Sequence, residues 1–177
     1  MPRPPIAIAA AVLAAAVFFA GAPARADDAH PIPQSLRLAH EATIQYVTQL
    51  AARPARVGEE ARRLLPLYQA HMAKEDEYIL PPLTLLPALA RGEASPDMRW
   101  AIPMSDRVKA EQDEIYRSHT AVIEQCAALE FAAENAGDND VREWVHSAIV
   151  DDLGDLELQE PMAVLVGDIL RARLGVP

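Results

Sequence analysis

From Gln34 onward, apolar residues return every three or four positions and no stretch alternates with period two over a strand's length. That pattern restricts the chain to packed amphipathic helices. Four segments are predicted. The first runs from about Ser35 to Ala52, with Leu36, His40, Thr43, Val47 and Leu50 on one face, and stops before Pro54. The second follows Gly58 and carries Leu64, Leu67, Tyr68, His71, Glu75 and Tyr78; Pro66 is expected to bend its first turns and Pro81-Pro82 to end it. Leu83 to Leu89 resumes as a turn or two of helix. The breaker-rich loop from Arg91 to Pro103 is long enough to cross one end of a bundle. The third helix is predicted to start with Ser105 as its N-cap. It presents Val108, Gln112, Ile115, His119, Val122, Cys126 and Leu129, and stops at Gly137. Asp140 and Glu143 read as a capping box for the fourth, from Val141 to about Leu174, which Gly154 and Pro161 interrupt. Four such stripes with short connections pack most simply as an all-α, up-and-down antiparallel four-helix bundle.

The first 26 residues have a different character. Arg3 precedes a charge-free apolar run from Ile6 to Ala20, and Ala24 and Ala26 are small residues where a signal peptidase reads. This is the layout of a secretory signal over 1–26, cleaved before Asp27, leaving 27–177 as the helical domain. The run is shorter than the ~20 residues that a bilayer-crossing helix needs, so the expectation is an exported, periplasmic protein with no membrane span after cleavage. The chain holds 16 Lys and Arg against 26 Asp and Glu, with Lys74 and Lys109 the only lysines. Nucleic acid is therefore excluded as a partner through phosphate neutralisation. Cys126 is the single cysteine, which rules out an internal disulfide and any multi-cysteine zinc site. Histidines and carboxylates remain as metal ligands.

Four of the five histidines, His40, His71, His119 and His146, fall one per predicted helix, the first three within the apolar stripe. Taken singly, each reads as a core histidine bonded to a neighbour. Together they read differently, because a buried imidazole needs partners for both nitrogens and a metal ion satisfies several at once. Glu75 stands one turn after His71 and projects from the same side of the helix. His146 and Asp151, five residues apart, lie about 140° apart around the axis at ~100° per residue, yet long side chains could converge. His30 reads as a solvated tail residue.

The segment His71-Met72-Ala73-Lys74-Glu75-Asp76-Glu77-Tyr78-Ile79-Leu80-Pro81-Pro82 resembles the second-helix motif of the hemerythrin family, including its bacterial histidine-histidine-glutamate cation-binding members. His40-Glu41 falls where that family places a first-helix histidine, and the resemblance spans roughly His40 to Leu170. It implies a four-helix bundle enclosing one or two irons, capped by histidines and bridged by carboxylates, that binds dioxygen, senses oxygen or iron, or handles nitric oxide. Catalytic turnover is not implied.

The second half departs from the family pattern. Gln112 occupies what looks like the place of the third-helix histidine. For the fourth helix two alignments stand. In one, Asp151 to Pro161 mirrors His71 to Pro81, with Asp151 and Asp155 at the histidine and glutamate positions. In the other, His146 and Asp151 form a His-x-x-x-x-Asp pair and His119 serves the third helix. Antiparallel packing puts His119 and His146 near one level, and under the first alignment that pair lies most of two turns from His40 and His71. The candidate ligands are thus His40, His71, Glu75, His119, His146, Asp151 and Asp155. Their oxygen-rich character favours iron, with manganese as the other hard ion. The competing expectation is a metal-free structural or interaction bundle that has lost part of its ligand set. No Gly-x-Ser-x-Gly elbow, phosphate loop or Cys-x-x-Cys-His occurs.

Overall fold

The structure, a computed structural model, describes residues 30–177; the predicted signal segment lies outside them. Helix α1 spans Gln34–Ala51 and α2 spans Ala55–Lys74, continuing through one π turn, Glu75–Ile79. Pro81–Leu85 forms a 3-10 turn leading into α3, Leu86–Ala90. Another short 3-10 turn, Pro96–Met98, precedes α4 (Ala101–Ala110) and α5 (Gln112–Ala136), which are separated by Glu111 alone. Helix α6, Asn139–Gly154, passes through a second π turn, Asp155–Gln159, into α7, Glu160–Leu174. The described residues contain no strand, and no helix among them is long and apolar enough to cross a membrane.

Neighbouring helices run in opposite directions. Gln125, Ser118, Glu114 and Glu111 meet Glu60, His71, Lys74 and Tyr78 in turn, so numbers fall along α5 as they rise along α2. Helix α1 opposes α2 through Ala51 with Arg62 and His40 with Glu75. Helix α4 opposes α7 through Lys109 with Asp168 and Asp106 with Arg171. The result is a helical bundle.

Local chemistry explains the ends and interruptions. A proline lacks an N–H and its ring collides with the carbonyl four residues back. Both π turns lie immediately ahead of such a residue. Leu80 N–H donates to Glu75 O at 2.9 Å before Pro81, and Glu160 N–H donates to Asp155 O before Pro161. Pro66 behaves differently, since α2 continues unbroken through it. Ser105 is no N-cap: α4 begins four residues earlier, and the buried Ser105 hydroxyl lies 2.6 Å from Ala163 O and 2.9 Å from Ala101 O. Asp138, not Asp140, caps α6, accepting from Val141 N–H at 3.3 Å. His30 is not a solvated tail residue but stacks on Trp100, ring centroids 3.7 Å apart.

The core divides along the bundle axis. One apolar cluster holds Leu50, Leu64, Tyr68, Val122, Leu129 and Val145, and a second holds Tyr78, Ile79, Val108, Ile115 and Ala163. On α2, α5 and the α6–α7 rod, the buried groups His71, Glu75, His119, Asp152 and Glu160 fall where these two clusters meet, whereas buried Glu60 lies within the first and pairs with Arg56 and Arg63. The junction of the two clusters positions the site.

The turn between α1 and α2 is tight. Ala55 has φ of 61°, and a Cβ on Gly58 would lie 1.8 Å from the Arg53 carbonyl oxygen. Gly58→Ala is therefore expected to destabilise the protein by roughly 1–3 kcal/mol. Gly154→Ala, where a Cβ meets nothing within 4 Å, should instead stabilise it by up to about 1 kcal/mol. Urea unfolding of both variants checks the pair; equal effects would contradict the close approach at Gly58.

Candidate metal centre

Each rod contributes to one buried cluster. His71 and Glu75 come from α2 and its π turn, His119 from α5, Asp152 from α6 and Glu160 from the first residue of α7. Their exposures are 3, 2, 0, 4 and 6% respectively. Half-buried His40 approaches from α1. Glu75 lies between two imidazoles, with Oε2 3.2 Å from His40 Nε2 and Oε1 3.3 Å from His71 Nε2. Asp152 likewise spans two, with Oδ1 3.5 Å from His71 Nε2 and Oδ2 3.1 Å from His119 Nδ1. The His71 and His119 rings meet edge to face at 4.3 Å. Ligand atoms of His71, Glu75 and His119 all lie within 4.8 Å of one another, so this group could hold a metal ion.

Outer contacts orient the rings. His71 Nδ1 is 3.2 Å from Ser118 Oγ, His40 Nδ1 is 3.1 Å from Asp76 Oδ1, and His119 Nε2 is 2.8 Å from Glu160 Oε1. With Nδ1 directed at Ser118, His71 Nε2 faces the carboxylate oxygens of Glu75 and Asp152. Only a proton or a cation between them makes that arrangement favourable. His71 Nε2, His119 Nδ1 and Asp152 Oδ2 are three of the four buried side-chain atoms without a hydrogen-bond partner among the described residues. Such orphaned groups are costly in a protein interior. Their convergence on one point fits a bound cation.

The electrostatics of the metal-free cluster are those of a site short of positive charge. Burial opposes ionisation of Glu75, but the His40 and His71 imidazoles set against it hold its carboxyl at about 2. Burial alone would lower the His119 pKa, yet the carboxylates of Asp152 and Glu160, one beside each of its nitrogens, raise it to about 10. Asp155 is pushed up to about 7, first by burial and then by the charges of Glu75 and Asp152.

The structure brings His40, His71, Glu75 and His119 together, with Asp155 beside them in the wall of the adjoining cleft. His119 stands at the level of His71, not two turns from it. His146 is exposed, beside Glu130 and Arg142, and takes no part in the cluster. Gln112 is also exposed. Asp151 is exposed at the cleft: because Asp152 faces His71 and His119, the residue before it is turned ~100° away. Asp152 and Glu160 were not singled out by sequence. The signal for them was their mutual spacing of eight residues, about two turns, on a segment whose π turn lies eighty residues after that of the second rod. Cys126 stays apart in the apolar core, its Sγ 3.5 Å from Tyr68 Oη.

No family model matches this chain, and no curated protein or solved structure matches it significantly.

The pKa shifts set the pH response of the metal-free protein. The Glu75 contribution is present above its ordinary value of 4.5 and lost as pH falls through 2. That of His119 is present below 6.5 and lost as pH rises through 10. Asp155 acts in the same sense as His119, its contribution lost as pH rises through 7. Thermal melts of chelator-treated protein should thus fall from pH 5 to pH 9, and Asp155→Asn should flatten the portion below pH 7. A melting temperature that rises over that range would contradict the assignment.

Proposed function

We propose that this chain is an exported iron protein of hemerythrin-like architecture, an up-and-down four-helix bundle whose core metal binds dioxygen or nitric oxide. The four rods of the proposed bundle are α1, α2 with its π turn, α4 with α5, and α6 with α7. The observation that carries the reading is the convergence of three orphaned polar atoms, on His71, His119 and Asp152, inside an otherwise apolar interior. Three imidazoles and the carboxylates of Glu75 and Asp152 make a nitrogen and oxygen donor set without sulfur. Such a set suits iron, with manganese next, better than the softer copper(I).

His71, His119, Glu75 and Asp152 would hold the ion, with His40 completing the Glu75 side. Iron bound there supplies a redox-active centre with affinity for diatomic ligands. The protein's own part is positional. Ser118 and Asp76 fix the orientation of His71 and His40, Glu160 fixes that of His119, and the two apolar clusters flank the donors on either side. The π turns ahead of Pro81 and Pro161 are equally placed, as in the alignment in which the second half repeats the first, but Asp152 stands against His71 and His119 where that alignment has Asp151.

Anaerobic loading with ferrous iron, desalting and metal analysis test the reading, followed by absorption spectra before and after admission of air. Stoichiometric retained iron and a new near-ultraviolet band are expected. Substoichiometric iron with an unchanged spectrum would favour a metal-free structural bundle instead. Asp152→Asn should weaken iron retention at least tenfold, whereas Asp151→Asn and His146→Ala should leave it within twofold. Equal losses at Asp151 and Asp152 would overturn the ligand set.

A further inference from the structure

Beside the cluster a cleft of about 640 Å³ opens between α1 and the α6–α7 rod. It is closed at one end where Tyr46 and Trp144 meet with ring centroids 4.7 Å apart. Away from that contact the two rods separate, and His40, His71 and Glu75 form part of the floor. Leu36, Ala148, Leu158 and Met162 make up much of the wall. Two of the lining residues, Val150 and Leu158, are 55% and 62% exposed, eight positions apart along one edge.

The dimensions do not match a diatomic ligand. Water's share of liquid volume is about 30 Å³, and dioxygen needs little more, whereas pockets for small organic molecules run to roughly 300–1,000 Å³. The lining is mostly apolar, with Ser35, Thr43, Ser147 and Gln159 as polar wall residues. Glu75, Asp152 and Asp155, with the exposed Asp151 beside them, supply four carboxyl groups, which repel an anion. Fatty-acid or phosphate-bearing ligands are disfavoured on that ground. An apolar wall and an acidic floor exclude anions and suit apolar molecules that carry no negative charge.

We propose that this cleft binds a predominantly apolar organic molecule without negative charge beside the metal centre, walled by α1 on one side and α6 on the other. The adjacency to a metal rests on the iron reading above, while the cleft and its selectivity do not. A ligand of this class would leave its edge against Val150 and Leu158 and bring its inner end to within reach of His40.

The test uses two dyes with one skeleton, neutral N-phenylnaphthylamine and anionic anilinonaphthalene sulfonate, titrated by fluorescence into the full-length chain with and without metal. Saturable binding of the neutral dye is expected, at least tenfold tighter than the sulfonate. Ala148→Phe from α6 and Thr43→Phe from α1 should each weaken it at least tenfold. Equal binding of the two dyes, no saturable binding, or affinity unchanged in both variants would overturn the proposal. The comparison of dyes on the unmodified chain stands even if a variant fails to fold. In protein loaded with manganese, the dye's proton resonances should broaden relative to zinc-loaded protein. Full manganese content without broadening would overturn the adjacency. Failure to take up either metal would instead count against the iron reading and leave the metal-free titration to decide the cleft.

Discussion

Three imidazoles and three carboxylates gathered between two apolar clusters are the constraint on which the rest of this fold depends. Surface ion pairs in the molecule, such as Arg53 with Asp138 at 2.5 Å, are worth little, in the range of about 0–1 kcal/mol. The interior groups are different, because a buried charge that is not neutralised costs several kcal/mol. His40 and His71 share Glu75, and His71 and His119 share Asp152. Each carboxylate is thus placed where one positive ion can answer to both of its oxygens' neighbours. In the absence of an ion, a proton on His119 held between Asp152 and Glu160 offsets part of the imbalance.

The two π turns explain how the rods reach that point. A π turn adds a residue to a helix and is frequently found at functional sites. Here each also widens the helix just ahead of a proline. In the second rod it carries Glu75 itself. In the last rod it lies between Asp152 and Glu160, so that both acids reach opposite nitrogens of His119. Proline placement, helix geometry and donor convergence are therefore linked in each half of the chain.

Much of this was legible in the residues. The period of the apolar stripes gave most helix bounds to within a few positions but not the break at Glu111 that divides the predicted third helix into α4 and α5, and Gly137, with φ of 69°, ends α5 where the sequence puts a stop. Helix starts were less legible. Ser105 has the chemistry of a cap, but a close approach to Gly167, whose Cβ would lie 2.4 Å from that of Ser105, gives it a place inside α4 against α7. His40, His71, Glu75 and His119 stood out because polar groups in an apolar stripe are conspicuous. Asp152 did not, because adjacent acids differ by only ~100° of helix rotation and periodicity across a π turn loses count. His146 was read from a single histidine on a helix whose facing side the tertiary packing alone decides.

The most direct measurement of the central claim is iron X-ray absorption spectroscopy of the anaerobically loaded protein. The account predicts a first shell of nitrogen and oxygen donors only, with the outer-shell scattering of several imidazole rings, and no sulfur. A shell lacking imidazole scattering, or one containing sulfur from Cys126, would contradict it.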